Sequence, residues 1–281
     1  MLKRIITGVI AGGISFAAIY FGGYFFGGLI SVFAAIALFE YYRAFKNSGR
    51  KIDPVPGIAM LTALVLSMFS SVKVPGKLIF GDLQFNFFYI LILAAMLSLM
   101  LNFVFRYGRF RFDDAAVSLL GAAYVPFMLL FAYCLREMPH GGHLLLISLI
   151  GPVSSDTAAF AVGSLIGKHR LCPELSPKKS VEGMIAGFAG SVAGLCFYGF
   201  MLNILKIDIS LPFYFYPILG VVLSGAGQVG DLFASGIKRT CEIKDFGKIL
   251  PGHGGVLDRI DSYIPCFMVT YVAASLFYSF V

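Results

Sequence analysis

Residues Ser235 to Asp261, which read SGIKRTCEIKDFGKILPGHGGVLDRID, form the most polar stretch of a chain that is otherwise largely hydrocarbon. We call this stretch the tail segment, and two apolar segments flank it. Its basic residues and aspartates are Lys238, Arg239, Lys244, Lys248, Arg259, Asp245, Asp258 and Asp261, and a glycine pair follows His253. A loop of this composition can gather anionic phosphates and a divalent metal at a membrane surface.

The composition of the whole chain predicts a membrane protein. Of its 281 residues, 58% are hydrophobic and only 13% are charged, whereas a soluble domain carries about 25% charged residues. The mean hydropathy is +0.86. The apolar runs are continuous and long enough for membrane helices, unlike the alternating pattern of a β-barrel. We therefore predict an all-α, polytopic integral membrane protein with about nine transmembrane helices.

The nine apolar segments define a provisional division of the chain. They span 5–22, 25–43, 57–73, 85–105, 115–135, 143–167, 183–203, 212–237 and 262–281. The first is predicted to be an uncleaved span rather than a signal peptide, because a second apolar run follows it at once through Gly22, Gly23 and Tyr24. Residues 1–140 are then N-terminal transmembrane helices, and 141–281 form a C-terminal transmembrane region with loops 168–182 and 238–261.

The distribution of lysine and arginine predicts the orientation. With the N-terminus inside, eighteen basic residues fall in inner loops and four outside, and cytoplasmic loops carry the excess of positive charge. The chain is thus expected to cross the membrane several times, with a cytosolic N-terminus and an external C-terminus, so that loops 168–182 and 238–261 face the cytosol. The net charge of +7 reflects these loops, so membrane lipids and not nucleic acid are the expected partners.

Small residues and cysteines have structural interpretations. Glycines recur at a spacing of about four in the first and seventh segments, where they let helices approach closely. These glycines are Gly8, Gly12, Gly13, Gly183, Gly187, Gly190 and Gly194. The five cysteines are scattered singly, and no spacing among them predicts a zinc site.

Asp258 and Asp261 are the first candidate metal ligands. If the last helix begins near Val256, they lie at i and i+3 on one face, where two carboxylates could hold a cation such as Mg²⁺. The alternative is that both acids favour a helix N-terminus. Gly254 and Gly255 favour the functional interpretation, because bare backbone can approach a phosphate.

Two further acids lie within apolar segments, where a carboxylate is costly and is by default a functional candidate. Asp231 precedes Lys238 by seven residues; the alternative for it is a salt bridge to another helix. Asp156 follows Gly151 and Pro152, which could break the helix and expose backbone to a polar cavity. An ion relay would also place an acid at Asp156.

The remaining motifs are weaker on their own. Residues 225–230 match GxGxxG, but they lie inside an apolar span rather than in a strand–helix unit, so we reject dinucleotide binding. In the 168–182 loop, Lys178 and Lys179 could clamp a triphosphate, although paired lysines can also simply set topology, and Ser180 could cap the next helix. His253 could contact phosphate or serve a structural hydrogen bond.

The tail segment resembles the signature of the phosphatidate cytidylyltransferases, also called CDP-diacylglycerol synthases. The matching residues are Ser235, Lys238-Arg239, Lys244-Asp245, Pro251, His253-Gly254-Gly255, Asp258-Arg259 and Asp261. The resemblance extends upstream from about residue 150 through Ser155-Asp156-Thr157, Gly163, Gly167-Lys168, Ser176-Pro177-Lys178-Lys179-Ser180, Glu182-Gly183, Gln228 and Gly230-Asp231. Phe160 departs from it, since a tyrosine is expected there.

This resemblance implies transfer of CMP from CTP to phosphatidic acid, giving CDP-diacylglycerol and diphosphate. It further implies that 141–281 is the catalytic region and that the protein lies in the inner (plasma) membrane. The implied active site is a cytosolic cleft with Mg²⁺ and K⁺ as a possible second cation, in a homodimer. The implied metal ligands are Asp231, Asp258 and Asp261. The other implied catalytic residues are Lys244, Asp245 and His253, and the implied substrate-binding residues are Ser176, Lys178, Lys179, Ser235, Lys238, Arg239, Gly254, Gly255, Arg259 and Asp156.

The residues suit this chemistry independently. Phosphatidate supplies its own nucleophilic oxygen, so the protein has only to position two polyanions and neutralise charge.

Three alternatives remain. One is a related synthase that acts on ether lipids, as in archaea. Another is an ion-coupled transporter using Asp156 and Asp231, although no inverted repeat is evident. The third is a purely structural scaffold, in which buried acids would serve no purpose.

Overall fold

The structure is a computed structural model that describes residues 2–69, 82–207, 209, 211–249, 252 and 254–280. Side chains are described for these residues except 2–11, 69, 82–89 and 280. The described helices are α1 Leu2–Phe21, α2 Gly23–Asn47, α3 Val55–Phe69, α4 Asp82–Phe105, α5 Phe112–Ala122, α6 Met128–Glu137, α7 Gly141–Ile166, α8 Val181–Ile204, α9 Phe215–Thr240, α10 Leu257–Ile260 and α11 Tyr263–Phe280. A π-helical turn, Ala123–Phe127, joins α5 to α6.

The all-α prediction is confirmed, and the helices make this a multi-pass membrane protein. Five of the described helical stretches are long and apolar enough to cross a membrane: Gly23–Asn47, Phe112–Glu137, Gly141–Ile166, Val181–Ile204 and Phe215–Thr240. Four further apolar stretches are shorter over the residues searched. The prediction of nine spans is therefore not confirmed, although each predicted segment contains a helix. Gly22, at φ 64°, is the single residue between α1 and α2.

A small β-hairpin interrupts the predicted loop 168–182, where no strand was expected. Strands β1 Arg170–Cys172 and β2 Ser176–Ser180 pair antiparallel, with Arg170 opposite Ser180 and Cys172 opposite Ser176. The backbone N–H of Val181 then donates to the carbonyl of His169. The hairpin therefore delivers the chain directly into α8.

The chain forms two compact units. Unit one contains Met1–Met138 and Thr240–Ile260, and unit two contains Pro139–Arg239 and Asp261–Val281. Residues 240–260 of the tail segment thus pack with the N-terminal helices. The division into an N-terminal region and a catalytic region from residue 141 concerned function, and it stays a prediction.

Asp53 ties together the helices of unit one. Its Oδ2 accepts hydrogen bonds from Ser98 Oγ at 2.6 Å and Asn102 Nδ2 at 2.9 Å, both on α4. Its Oδ1 accepts from the N–H of Val55 at the start of α3. The Asp53 N–H donates to Ser118 Oγ on α5 at 2.9 Å. A buried carboxylate satisfied in this way joins three helices.

Glycines of α8 allow α7 to approach closely in unit two, as the spacing predicted. These positions are Gly183, Gly187, Gly190 and Gly194. A Cβ at Gly190, for example, would collide with Ala158 and lie 2.8 Å from the Ser154 carbonyl. The same interpretation is not confirmed in α1, because a Cβ at Gly12 or Gly13 would meet no described atom within 4 Å. Gly8 lies outside the residues whose side chains are described.

Two predicted helix irregularities are wrong. Helix α7 is continuous through Pro152, because breaking it would expose further backbone groups in an apolar setting. Gly227 of α9 makes room for the Pro152 ring. The last helix does not begin near Val256: α10 ends at Ile260, a turn follows, and α11 begins at Tyr263. Asp258 and Asp261 therefore do not share one helix.

Candidate active site

The β-hairpin and the start of α8 form the first part of the candidate site, within unit two. Ser180 Oγ accepts a hydrogen bond from the N–H of Gly183 at 3.1 Å, so it caps α8 as predicted. His169 Nδ1 lies 2.7 Å from Glu182 Oε1. These contacts fix β2, and with it Lys178 and Lys179, relative to α8.

Lys179 forms an ion pair with Asp231, a residue of α9. Its Nζ lies 2.6 Å from Asp231 Oδ2. The Nζ atom itself is shielded from solvent and, among the described residues, has no further hydrogen-bond partner. The alternative expected for Asp231 was a salt bridge to another helix; the observed partner comes from the hairpin instead. An ammonium group carries three N–H donors, so Lys179 keeps capacity to bind an anion.

A cavity of about 480 Å³ opens beside this ion pair. Its polar lining residues are Asp156, Ser164, Arg170, Lys178, Lys179, Ser180 and Gln228, and its apolar wall includes Ala159, Phe160, Leu171 and Met184. Asp156 is exposed to this space, and the charges of Asp231 and Lys179 act on its carboxylate. The cavity therefore presents both charged groups and apolar surface to a ligand.

Gln228 and Gly230 shape α9 next to Asp231. Gln228 Nε2 donates to Ser224 Oγ at 2.9 Å, and Ser224 Oγ lies 2.8 Å from Ser155 Oγ of α7. Gly230 lies against the carbonyl of Asp261 and the ring of Pro265, where any side chain would collide. Gly227 and Gly230 of the GxGxxG match thus serve helix packing, and Gly230 lets Asp261 approach the backbone that carries Asp231.

Asp258 lies within unit one and is buried. Its Oδ2 accepts hydrogen bonds from the N–H groups of Phe246 at 2.8 Å and Gly255 at 3.0 Å. Gly254 adopts φ 86°, which favours glycine. A Cβ there would lie 3.1 Å from Asp258 Oδ2 and 3.4 Å from Asp245 Oδ1. The glycine pair therefore wraps around the Asp258 carboxylate.

Glu40 of α2 is a candidate functional residue that the sequence interpretation missed. It is fully buried in unit one, and its Oε2 accepts from the N–H of Leu257 at 2.9 Å. One turn later on α2, Arg43 donates to the carbonyl of Phe246 at 3.0 Å. The rule that singled out Asp156 and Asp231, an acid inside an apolar span, would have found Glu40 too.

The other predicted site residues occupy several environments. Ser235, Lys238 and Arg239 lie in the last turns of α9, and Arg239 Nε donates to the Leu175 carbonyl at 3.2 Å. Ser176 begins β2. Lys244, Asp245 and Arg259 are exposed, whereas His253 lies outside the described residues.

The predicted metal ligands are divided between the units. Asp258 belongs to unit one, and Asp231 and Asp261 belong to unit two. Within either unit taken alone, no three His, Cys, Asp or Glu side chains of the described residues lie close enough together to hold a metal ion. The assignment of these three aspartates as a shared metal site stays a prediction.

Comparison with known proteins decides the family. The model of the cytidylyltransferase family matches residues 2–277. The chain belongs to this cytidylyltransferase family. It is 32% identical over 279 residues to a phosphatidate cytidylyltransferase of Bacillus subtilis strain 168. The matched region covers 99% of this chain and 98% of that protein.

Two further relatives agree. The cytidylyltransferase described here is 36% identical over 247 residues to a phosphatidate cytidylyltransferase of Staphylococcus aureus strain COL, covering 85% of this chain and 87% of that protein. It is 35% identical over 214 residues to one of Staphylococcus haemolyticus, covering 76% and 77%. The family resemblance seen in the tail segment is thereby confirmed. The chain is a membrane-embedded nucleotidyltransferase.

Proposed function

We propose that the chain is a phosphatidate cytidylyltransferase that converts CTP and phosphatidic acid into CDP-diacylglycerol and diphosphate. The names of relatives that match nearly the whole chain support this function. The structural observation that carries it is the cavity of unit two, where Lys178, Lys179 and Arg170 face an apolar wall. Fixed cations suit phosphates, and the wall suits the apolar part of a lipid.

The proposed reaction needs no nucleophile from the protein. A phosphate oxygen of phosphatidic acid attacks the α-phosphorus of CTP, and a new oxygen–phosphorus bond forms. The bond from the α-phosphorus to the oxygen that bridges to the β-phosphorus breaks, and that oxygen leaves with its electron pair as diphosphate. Positioning and charge neutralisation are the work that remains for the side chains.

The basic residues are proposed to hold the phosphates. Lys178 and Lys179 on β2 bind CTP, with Lys179 held in place by Asp231. Lys238, Lys244 and Arg259 of the tail segment bind further phosphate oxygens. Because Lys178, Lys244 and Arg259 are exposed, they can reach a ligand without first leaving a buried position.

Asp231, Asp258 and Asp261 are proposed to hold Mg²⁺, with K⁺ as a possible second cation. The donor chemistry fits, since Mg²⁺ prefers oxygen ligands. The close approach of the Asp261 backbone to Gly230 supports placing Asp231 and Asp261 together. When bound, the metal would neutralise charge on the phosphates. The hydrogen bonds from the Phe246 and Gly255 N–H groups hold the Asp258 carboxyl group in place.

The test is conversion of labelled phosphatidic acid by the purified protein in detergent, with CTP and with or without Mg²⁺. We expect CTP-dependent formation of CDP-diacylglycerol that requires Mg²⁺. Asp258→Asn should lower kcat by about 100-fold. Asp113→Asn is the matched control, because Asp113 is exposed and its ion pair with Arg50 lies on the surface. Turnover of Asp258→Asn equal to that of the wild type would remove the metal assignment.

The same assay separates the alternatives. Ester-linked and ether-linked phosphatidic acid, supplied in parallel, distinguish this enzyme from a synthase specific for ether lipids. A transporter would show no CTP turnover with either lipid. The proposal also includes a homodimer, which size-exclusion chromatography with light scattering would test. It places the active site on the cytosolic side, which maleimide labelling of introduced cysteines would test.

A further inference from the structure

Glu40 is a buried acid to which the proposed reaction assigns no role. It lies on α2, inside a stretch long and apolar enough to span a membrane, and its side chain is 0% exposed. A buried carboxylate is costly unless hydrogen bonds and nearby charges compensate it. The groups that compensate Glu40 therefore indicate what it does.

The compensating groups come from the backbone of the tail segment, within unit one. Glu40 Oε2 accepts from the Leu257 N–H at 2.9 Å, whereas Oε1, which is also buried, has no hydrogen-bond partner among the described residues. Gly247 and Gly255 lie directly against it. A Cβ at Gly255 would be 2.5 Å from Oε2, and one at Gly247 would collide with Oε1. Only positions without a side chain can enclose the carboxylate this closely.

Arg43 holds the same segment one turn further along α2. It donates to the carbonyl of Phe246 at 3.0 Å. The Phe246 N–H and the Gly255 N–H are also the two donors that hold Asp258 Oδ2. Two side chains of α2 therefore fix the backbone groups that orient Asp258.

We propose that Glu40, assisted by Arg43, is a positioning residue that sets the place of Asp258 for cytidylyl transfer. This inference rests on the proposed function. Glu40 touches neither substrate nor the reacting atoms; it acts through the backbone at Phe246, Gly255 and Leu257. Loss of the Glu40 carboxylate should leave substrate binding largely intact and slow the chemical step, because a displaced Asp258 weakens interactions made in the transition state.

The experiment compares Glu40→Gln and Glu40→Leu with the wild type. Glutamine keeps one acceptor oxygen for the Leu257 N–H, whereas leucine keeps none. We expect kcat per folded enzyme to fall about 10-fold for Glu40→Gln and about 100-fold for Glu40→Leu, with KM values for both substrates within about threefold. Glu137→Gln, an exposed glutamate of the same unit, is the matched control and should be unchanged.

A second readout does not depend on catalysis. Hydrogen–deuterium exchange should speed up at the amides of Phe246, Gly255 and Leu257 in Glu40→Gln, while peptides from α7 and α8 keep the wild-type rate. If Glu40→Leu does not fold, Gly247→Ala serves instead. The added methyl must displace the Glu40 carboxylate, so it should lower kcat and leave KM unchanged.

The outcomes separate this inference from the proposed function. A wild-type protein that makes no CDP-diacylglycerol would overturn the proposed function and, with it, the role given to Glu40. An active wild type with a folded Glu40→Leu variant whose kcat stays within about threefold would overturn only the positioning role. A rise in KM as large as the fall in kcat, or faster hydrogen–deuterium exchange throughout both units, would also overturn the positioning role. A general loss of structure would explain either result.

Discussion

At the scale of single residues, the ion pair of Lys179 and Asp231 leads to the most direct prediction about binding. Lys179→Gln removes the charge that we propose binds CTP phosphates, so KM for CTP should rise about 10-fold. Lys179→Arg keeps the charge and should restore part of the affinity. Lys206→Gln is the control, because Lys206 is exposed in unit two. Steady-state kinetics at varied CTP measures all three, and an unchanged KM in Lys179→Gln would exclude this role.

Ser180 gives a prediction about stability at the same scale. Its Oγ caps α8 through the Gly183 N–H, and loss of such a cap costs about 1 kcal/mol. Ser180→Ala should therefore lower the free energy of unfolding by about 1 kcal/mol in detergent titrations. Ser279→Ala should change it little, because the exposed Ser279 hydroxyl donates to the Leu276 carbonyl one turn earlier in the same helix. Equal stabilities of the two variants would argue against the cap.

The sequence allowed most single site residues to be proposed but not their partners. Asp156 and Asp231 stand out because acids are rare in apolar spans, and Ser180 because a hydroxyl before a helix is a common cap. The partner of Glu40 is Leu257, at a sequence separation of 217 residues. No spacing rule connects residues so far apart, since only folding brings them together.

At the scale of elements, the contact between α7 and α8 depends on glycine. Gly190→Ala places a methyl group against Ala158 and the Ser154 carbonyl, and overpacking of this kind costs about 1–3 kcal/mol. Gly28→Ala in α2 is the matched control, because nothing described lies within 4 Å of its Cβ position. That variant should gain up to about 1 kcal/mol from helix propensity. Thermal unfolding in detergent would compare them, and a stable Gly190→Ala would contradict tight packing here.

Elements were predictable where one physical preference dominates. Long apolar runs favour helices in a membrane, and helices were found in all nine predicted segments. The hairpin β1–β2 was not predictable, because residues 170–180 include prolines and charges rather than an alternating apolar pattern. The break between α10 and α11 was also missed. Asp261 and Ser262 form a turn there, with the Ser262 N–H donating to Asp261 Oδ1 at 2.8 Å.

At the scale of the whole molecule, the orientation in the membrane remains a prediction from charge. A single cysteine introduced as Glu174→Cys, in the exposed turn of the hairpin, should react with a membrane-impermeant maleimide only after permeabilisation. Lys206→Cys should react in intact cells. Both require a background without the five native cysteines. Reaction of Glu174→Cys in intact cells would reverse the predicted topology.

Composition and motifs were enough to identify the family and the membrane class, because both depend on many residues along the chain. The arrangement of two units was not predictable. Residues 240–260 are flanked on both sides by residues of unit two, yet they pack with unit one. What holds them there includes the hydrogen bonds of Glu40 and Arg43, and a linear pattern does not show such long-range pairings.

The separation of Glu40 from Leu257 also affects how the protein is made. Helix α2 leaves the ribosome long before its partner exists, and at about 5–20 residues per second the wait is roughly ten to forty seconds. During that interval a carboxylate sits in a newly inserted helix without its final neighbours. The nascent N-terminal helices must therefore protonate this acid, hydrate it or shelter it against the insertion machinery until the last part of the chain is synthesised.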